Sequence, residues 1–431
     1  MGRFTIQDNK LVDEKIQEDM ELICKCVLKY INPVSILLIG SFGRGEGSVL
    51  IEDNKIFPLK DYDILIVLNS NLLSSVKLQQ VNDELYTALN YSLPKDRVYL
   101  FSDFVITIEQ TVVENLRTFA HIAVYDIKMG SQLLFGRDIR NEIPLSIEDI
   151  PSSSELHVLF MKTIGLLGQF SSTYLINPPD THKKIYIMYE CGKTYIEIGT
   201  ALCLFSKKYC SRYLKRSESF VKIFNENLFD LEQKIPNLPD KIMYYTKLKL
   251  IPDINEYNHM NYITLWFETR NDLRTIINYL FEKKYGMSDI DLIKSSKFYY
   301  HEMKKNYYKE TIIFFLKHKF GISNSLVSVS LNFLYQKYFS LMYVIDLYQK
   351  SKMLYPKALL ESPLQKVFSL SILLLFSLNE DGSLNSDLFS MFEEELKKIY
   401  PFNIDCSDNL EKWDLAKNCL LDAFDLYKGQ R

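Results

Sequence analysis

The chain has 431 residues, 47% of them hydrophobic and 24% charged, with a formal net charge of −3. That length allows two or three domains and a substantial core, and the near-neutral balance excludes a protein whose whole surface binds nucleic acid. Seven cysteines and six histidines are scattered along the chain. They lack the paired spacing of a zinc site or a disulfide framework, which points to reduced thiols in a cytoplasmic protein. Residues 1–6 show no apolar leader, and the longest apolar stretch, 367–378, is interrupted by serines and too short to span a bilayer.

Apolar residues at positions 12, 16, 20, 23, 27 and 30 predict a lead-in helix over 11–31. Residues 34–39 read as a strand that breaks into the turn Gly40-Ser41-Phe42-Gly43-Arg44-Gly45-Glu46-Gly47, after which no helical pattern follows. The segment 48–60 reads as an insertion, either a hairpin or a loop. Asp61-Tyr62-Asp63 then opens an apolar strand running through 64–68. A helix over 72–93 ends at Pro94, and 97–110, rich in β-branched and aromatic residues, reads as the next strand. It carries Asp103 in its apolar middle and Glu109 where it fades. A helix is expected over 111–128, then a short apolar run between turn residues over 130–138. Pro144 and the cluster 151–154 mark a boundary near residue 150.

Beyond that boundary strand-like alternation disappears and helical spacing takes over, at 155–175, 183–207, 217–232, 257–284, 290–318, 325–350, 363–377, 386–399 and 408–427. Breaks fall at Pro178-Pro179, at 236–239 and at Gly286, Gly321 and Pro356. The expected architecture is α+β: a small mixed sheet with helices over 1–150, then an all-helical half divided at Gly286 into a region over 151–285 and a further subdomain over 286–431.

The turn at Gly40 carries the chemistry. Glycines let the backbone take positive φ and approach a ligand closely, and clustered N–H groups with the Ser41 hydroxyl and the Arg44 charge suit polyphosphate oxygens. Asp61 and Asp63 point to one side of their strand, about 6.5 Å apart along it, where they can hold hard cations such as Mg²⁺. Asp103, an acid among apolar strand residues, is the candidate for a third carboxylate and Glu109 its competitor. The phosphate loop of ordinary NTPases is absent, and the spacing of Gly43, Gly45 and Gly47 does not fit a dinucleotide fold. Residues 183–216 interleave lysines and arginines with tyrosines, a pattern that suits phosphates and bases but serves more often as core and solvated face.

Residues 34–110, through Gly-Ser-x-Gly-Arg-Gly, Asp-x-Asp at a strand start and an acid on a later strand, resemble the polymerase-beta-like nucleotidyltransferase superfamily. The resemblance implies two Mg²⁺ ions, a nucleoside triphosphate and transfer of a nucleotidyl group, most simply AMP from ATP, to an acceptor hydroxyl with release of pyrophosphate. It implies that Gly40 and Ser41 contact the β- and γ-phosphates, that Asp61, Asp63 and Asp103 hold the metals, and that Asp103 activates the hydroxyl. Arg44 and, from a cleft-closing helix, Lys193 would assist with the triphosphate. The acceptor is expected to be a small molecule. A macromolecular acceptor, tRNA or protein, and a catalytically silent interaction module are the alternatives.

Overall fold

The structure is a computed structural model describing residues 2–52, 55–89, 106–287, 291–306, 309–321, 325–352, 355–403 and 406–428. Its first elements are α1 (Lys10–Tyr30), β1 (Ser35–Leu38), a single helical turn α2 (Gly40–Gly43), the strands β2 (Val49–Glu52) and β3 (Lys55–Pro58), β4 (Tyr62–Leu68), α3 (Ser75–Leu89), β5 (Ile106–Val112), α4 (Val113–Thr118), α5 (Ile122–Gly130) and β6 (Gln132–Gly136). Helices follow: α6 (Ser154–Gln169), α7 (Thr181–Phe205), α8 (Tyr213–Asn227), α9 (Leu238–Leu250), α10 (Ile254–Asn258), α11 (Tyr262–Tyr285), α12 (Leu292–Asn306), α13 (Lys309–Phe320), α14 (Ser325–Ser351), α15 (Pro363–Ser377), α16 (Ser386–Leu396) and α17 (Asn409–Lys428). The chain is thus mixed α+β. Among the described residues every strand precedes residue 137, with one isolated bridge, Leu378 to Leu384, later on.

Four strands form one mixed sheet in the order β5-β4-β1-β6, with β1 antiparallel to β4 and β6 and β4 parallel to β5. Alternation along the strands gives the sheet two faces. Ile36, Leu38, Tyr62, Ile64, Ile66 and Ile106 pack against Val12, Ile16, Met20 and Ile23 of α1 and Val81 and Leu85 of α3. Leu37, Leu65 and Val67 face the other way, onto Leu116 of α4, Val124 and Ile127 of α5, and Phe314 of α13. Asp63, Thr107 and Glu109 share the parity of this second face, because Asp63 pairs with Thr107 and Leu65 with Glu109.

The helices hold a second core around Trp266, which stacks on Phe170 (centroids 4.0 Å) and meets the edge of Trp413 (6.5 Å). That core runs on both sides of Gly286, whose left-handed φ of 67° ends α11. Every residue of α15 is buried. Central α7 packs on α6, α8, α9 and α11.

Several expected bounds shift. The 48–60 insertion contains a hairpin, with β2 and β3 antiparallel, and Leu59 enters the helical core. β5 runs on to Val112, so Glu109 lies inside a strand and not at its fading end, and the expected helix over 111–128 becomes α4 and α5. The run near 130–138 is the edge strand β6. The expected helix over 290–318 is described as α12 and α13, and α9 was not expected at all. Asp103 and most of the strand assigned around it lie outside the described residues.

The helical half is tied to the Gly40 turn by charge. Glu46, fully buried, accepts hydrogen bonds from the N–H groups of Tyr213 (2.7 Å) and Leu214 (2.9 Å) at the head of α8. Its carboxylate also lies 3.9 Å from Arg44. Ser48 donates to the carbonyl of Lys249 (2.6 Å) and Tyr209 to Asp126 (2.8 Å). Removing a buried carboxylate leaves its partners unsatisfied. Glu46→Ala is therefore expected to cost about 3 kcal/mol in urea unfolding, with Glu46→Gln recovering part of it; a loss under about 1 kcal/mol would show that Glu46 does not seat α8.

Candidate functional site

β1 delivers the chain to Gly40, and the Ile39 N–H donates to the Asp63 carbonyl (2.8 Å), tying the turn to the head of β4. Gly40 takes φ of 65°, and a Cβ placed on it would lie 1.8 Å from Asp63 Oδ2. Glycine is required here twice, by the left-handed backbone and by the carboxylate that closes on it. Ser41 is buried in the turn that follows, and its carbonyl accepts from the Glu46 N–H (2.9 Å). The first bond inside that turn runs from the Gly43 N–H to the Ile39 carbonyl (3.1 Å), leaving the N–H groups of Gly40, Ser41 and Phe42 ahead of it.

Asp61 and Asp63 are half-buried and point to the same side of β4. Asp61 accepts a hydrogen bond from the Thr107 hydroxyl of the neighbouring strand. Burial, then the charges of Asp61 and Glu109, push the Asp63 carboxyl up to about 7, with Arg44 and Lys249 opposing. Burial and the neighbouring acids together outweigh the nearby cations at Asp63.

Positive charge faces this pair. Burial, then Lys193 and Lys249, pull Lys60 down to about 7. Burial, then Arg44 and Lys193, do the same to Lys249, to about 7. Lys193 lies 3.0 Å from Glu190, which Lys162 also approaches (2.9 Å). Burial works against the Glu190 charge, but the two lysines hold its carboxyl down at about 2. Tyr189 presents its ring to Lys60 (4.8 Å) and Lys193 (5.6 Å), and Tyr213 does so to Lys249 (4.5 Å) and Arg44 (4.7 Å). Arg44 is buried between Tyr213, Glu46 and Asp126 (3.8 Å), and its Nε has no hydrogen-bond partner.

The sequence-derived residues Gly40, Ser41, Asp61 and Asp63 thus come together at one end of β4, with Arg44 behind the turn and Lys193 on α7. Lys60, Lys249, Glu190 and Thr107 were missed. Lys60 adjoins Asp61 and was legible. Lys249 was not, because Pro239 reads as a break in sequence although it stands in the first turn of α9, where proline is favoured. No group of three or more His, Cys, Asp or Glu side chains able to hold a metal is present among the described residues. The described carboxylates at the turn are a pair, and a pair suits Mg²⁺ that takes its remaining ligands from phosphate and water. Such an ion would offset the burial and the neighbouring acid charge that raise the Asp63 carboxyl.

No protein-family model, curated protein or solved structure was found to match this chain.

Gly40→Ala is expected to lose roughly 1–2 kcal/mol from the left-handed backbone alone and to displace Asp63, measured as a lower urea midpoint. The charged groups divide the pH axis. Asp63, ordinarily 3.8 and here about 7, contributes stability that is full below its ordinary value and lost as pH rises through about 7. Lys60 and Lys249, ordinarily 10.5 and here about 7, contribute stability that is present above 10.5 and lost as pH falls through about 7. Asp63→Asn should therefore gain stability over the wild type progressively between pH 4 and 7 and level off above, in thermal melts without ligand. A constant difference across that range would refute the raised carboxyl.

Proposed function

We propose that the protein is a Mg²⁺-dependent nucleotidyltransferase of the polymerase-beta-like kind, moving a nucleotidyl group from a nucleoside triphosphate, most simply ATP, to a hydroxyl of a small molecule. On this reading residues 1–150 are the catalytic domain and the helices from α6 onward close the cleft over it. The observation that carries it is the opposition of charge at the Gly40 turn: Asp61 and Asp63 on one side, Lys60, Lys193 and Lys249 on the other, with two of the lysines pulled down to about 7. At Lys60 and Lys249 burial and neighbouring cations outweigh the acids Asp61, Glu190, Glu46 and Glu197, and a ligand of the opposite sign would relieve that cost. A triphosphate with its metal supplies both signs at once.

In the proposed mechanism Asp61 and Asp63 would hold the metal, which supplies Lewis acidity toward the phosphates. Gly40 lets Asp63 and the ligand approach the same backbone. The lysines bind the β- and γ-phosphate oxygens and neutralise charge on the departing pyrophosphate. Thr107 fixes the Asp61 carboxylate through its hydroxyl. Asp103, outside the described residues, keeps its proposed place as a third carboxylate, and Glu109 is the described acid that shares the face with Asp63.

A small acceptor is favoured over tRNA by the fate of the Tyr-rich stretch. Tyr189, Tyr195 and Tyr209 are buried, so these rings fill the core instead of stacking bases. The seven cysteines are free thiols, which suits the cytoplasm, and no described helix is long and apolar enough to cross a membrane.

Incubation with Mg²⁺ and each of the four NTPs is expected to release pyrophosphate once an acceptor is supplied. Asp63→Ala should abolish that release, by about a thousandfold or more, while remaining folded. Lys249→Ala should weaken NTP binding about tenfold. Turnover retained by Asp63→Ala would end the proposal.

A further inference from the structure

On the sheet face that carries Asp63, a cavity of about 460 Å³ opens between β5, α4, α5 and the head of α6, with Thr311 of α13, Phe339 of α14 and Tyr427 of α17 on its far side, a size in the range of small-molecule sites. Its floor includes Leu65 and Glu109, the register pair that follows Asp63 and Thr107, so it begins one step, roughly 6.6 Å, along the strands from Asp63. Leu116, Phe119, Val124 and Ile127 form its apolar wall. Among the described lining residues Glu109 is the one Asp or Glu, and none is lysine or arginine. Two histidines complete the frame: His121 accepts the Ala123 N–H at Nδ1 (3.2 Å), and the His157 ring meets Phe368 edge-on (5.3 Å).

We infer that this cavity receives the acceptor, and that the acceptor is a compact, largely apolar alcohol free of phosphate groups, which presents its hydroxyl to Glu109. The inference rests on the nucleotidyl-transfer reading of the adjoining carboxylates. The two sides of the site divide the chemistry. Lys60, Lys193 and Lys249 serve the triphosphate, and none of them lines the cavity. Among the described lining residues an anionic acceptor would find no cation, and it would face Glu109. Gln110, Thr111, Asn115, Ser153 and Ser154 add polar groups at the edges, but a molecule hydroxylated all round would still leave donors unpaired against Leu116, Phe119, Val124 and Ile127. A ring or chain of carbon with one hydroxyl at its end buries apolar surface against that wall.

The step balances with the NTP as co-reactant. The acceptor oxygen attacks the α-phosphorus and forms the new P–O bond. The bond from that phosphorus to the oxygen bridging to the β-phosphate breaks, pyrophosphate leaves with the electron pair, and the hydroxyl proton passes to the Glu109 carboxylate.

The full-length protein would first be tested without nucleotide, by thermal shift and calorimetry, against phenol-, naphthol- and steroid-type alcohols, against sugars and aminocyclitols, and against an RNA oligonucleotide. Stabilisation by one class of apolar alcohol, weakened about tenfold or more in Phe119→Arg, is the expected result. Phe119 is exposed, so this variant should fold, which its unfolding midpoint checks. Preference for sugars or RNA, no binding by any alcohol, or equal binding by the variant would overturn the inference. The alcohol that binds is then offered with Mg²⁺ and α-labelled NTP: label is expected on the alcohol, and Glu109→Gln should lower kcat with little change in KM. A loss confined to KM would remove Glu109 as the proton acceptor. Binding without any transfer would refute the nucleotidyl reading and leave the cavity's preference for apolar alcohols standing.

Discussion

The carboxylate of Asp63 fills the space where a side chain at position 40 would be, and the arrangement of the site follows from that contact. It forces glycine and a left-handed backbone at the end of β1, and it locks the turn to the head of β4 through the Ile39 to Asp63 backbone bond. It also leaves a carboxylate at a half-buried position beside two others, Asp61 and Glu109. A protein free of ligand pays for this in proton affinity. Asp63 holds its proton to about 7, while Lys60 and Lys249 give theirs up at about the same pH. Acid and base are each pushed toward neutrality by burial among their own kind.

Around that contact the helical half is assembled by buried polar bonds as much as by apolar packing. Glu46 meets the head of α8, Ser48 meets the end of α9, and Asp126 meets Tyr209. Phe314 of α13 joins the core beneath α4 and α5, and Leu59 from the hairpin joins the helical core. Each of these contacts links residues far apart in sequence. Together they bring Lys193 and Lys249, from helices α7 and α9, toward acids on β4. They also roof the far end of the same sheet face with α4, α5 and α6, where the wall is apolar.

Much of the N-terminal half was legible because its signals are local. Strand parity puts Asp61 and Asp63 on one side without any knowledge of the fold, and a glycine run after an apolar strand announces a close-approach turn. The lead-in helix and most later helices follow from their own periodicity. Legibility failed where a neighbour decides. β6 has only five residues between glycine-flanked turns, and it is a strand because β1 pairs with it. Thr111 and Val112 continue β5 because β4 extends alongside them; a helix was expected there, and Glu109 was set aside as a strand end for the same reason. Pro239 looked like an interruption until Asn237, in a left-handed conformation, turned the chain into α9.

The amino-acid sequence by itself determined the mixed α+β character, the Gly40 turn and the shared side of Asp61 and Asp63, since each depends on residues within a few positions of one another. Only the tertiary structure decided which charges face those acids and what lies beyond them. Lys249 meets the site from more than 180 residues away, on a helix packed against α7 and α8 and tied to the turn by the Ser48 bond, and the cavity beside Glu109 exists only between elements that no local pattern relates. Short-range periodicity records which way a side chain points. It carries no record of what will be packed in front of it.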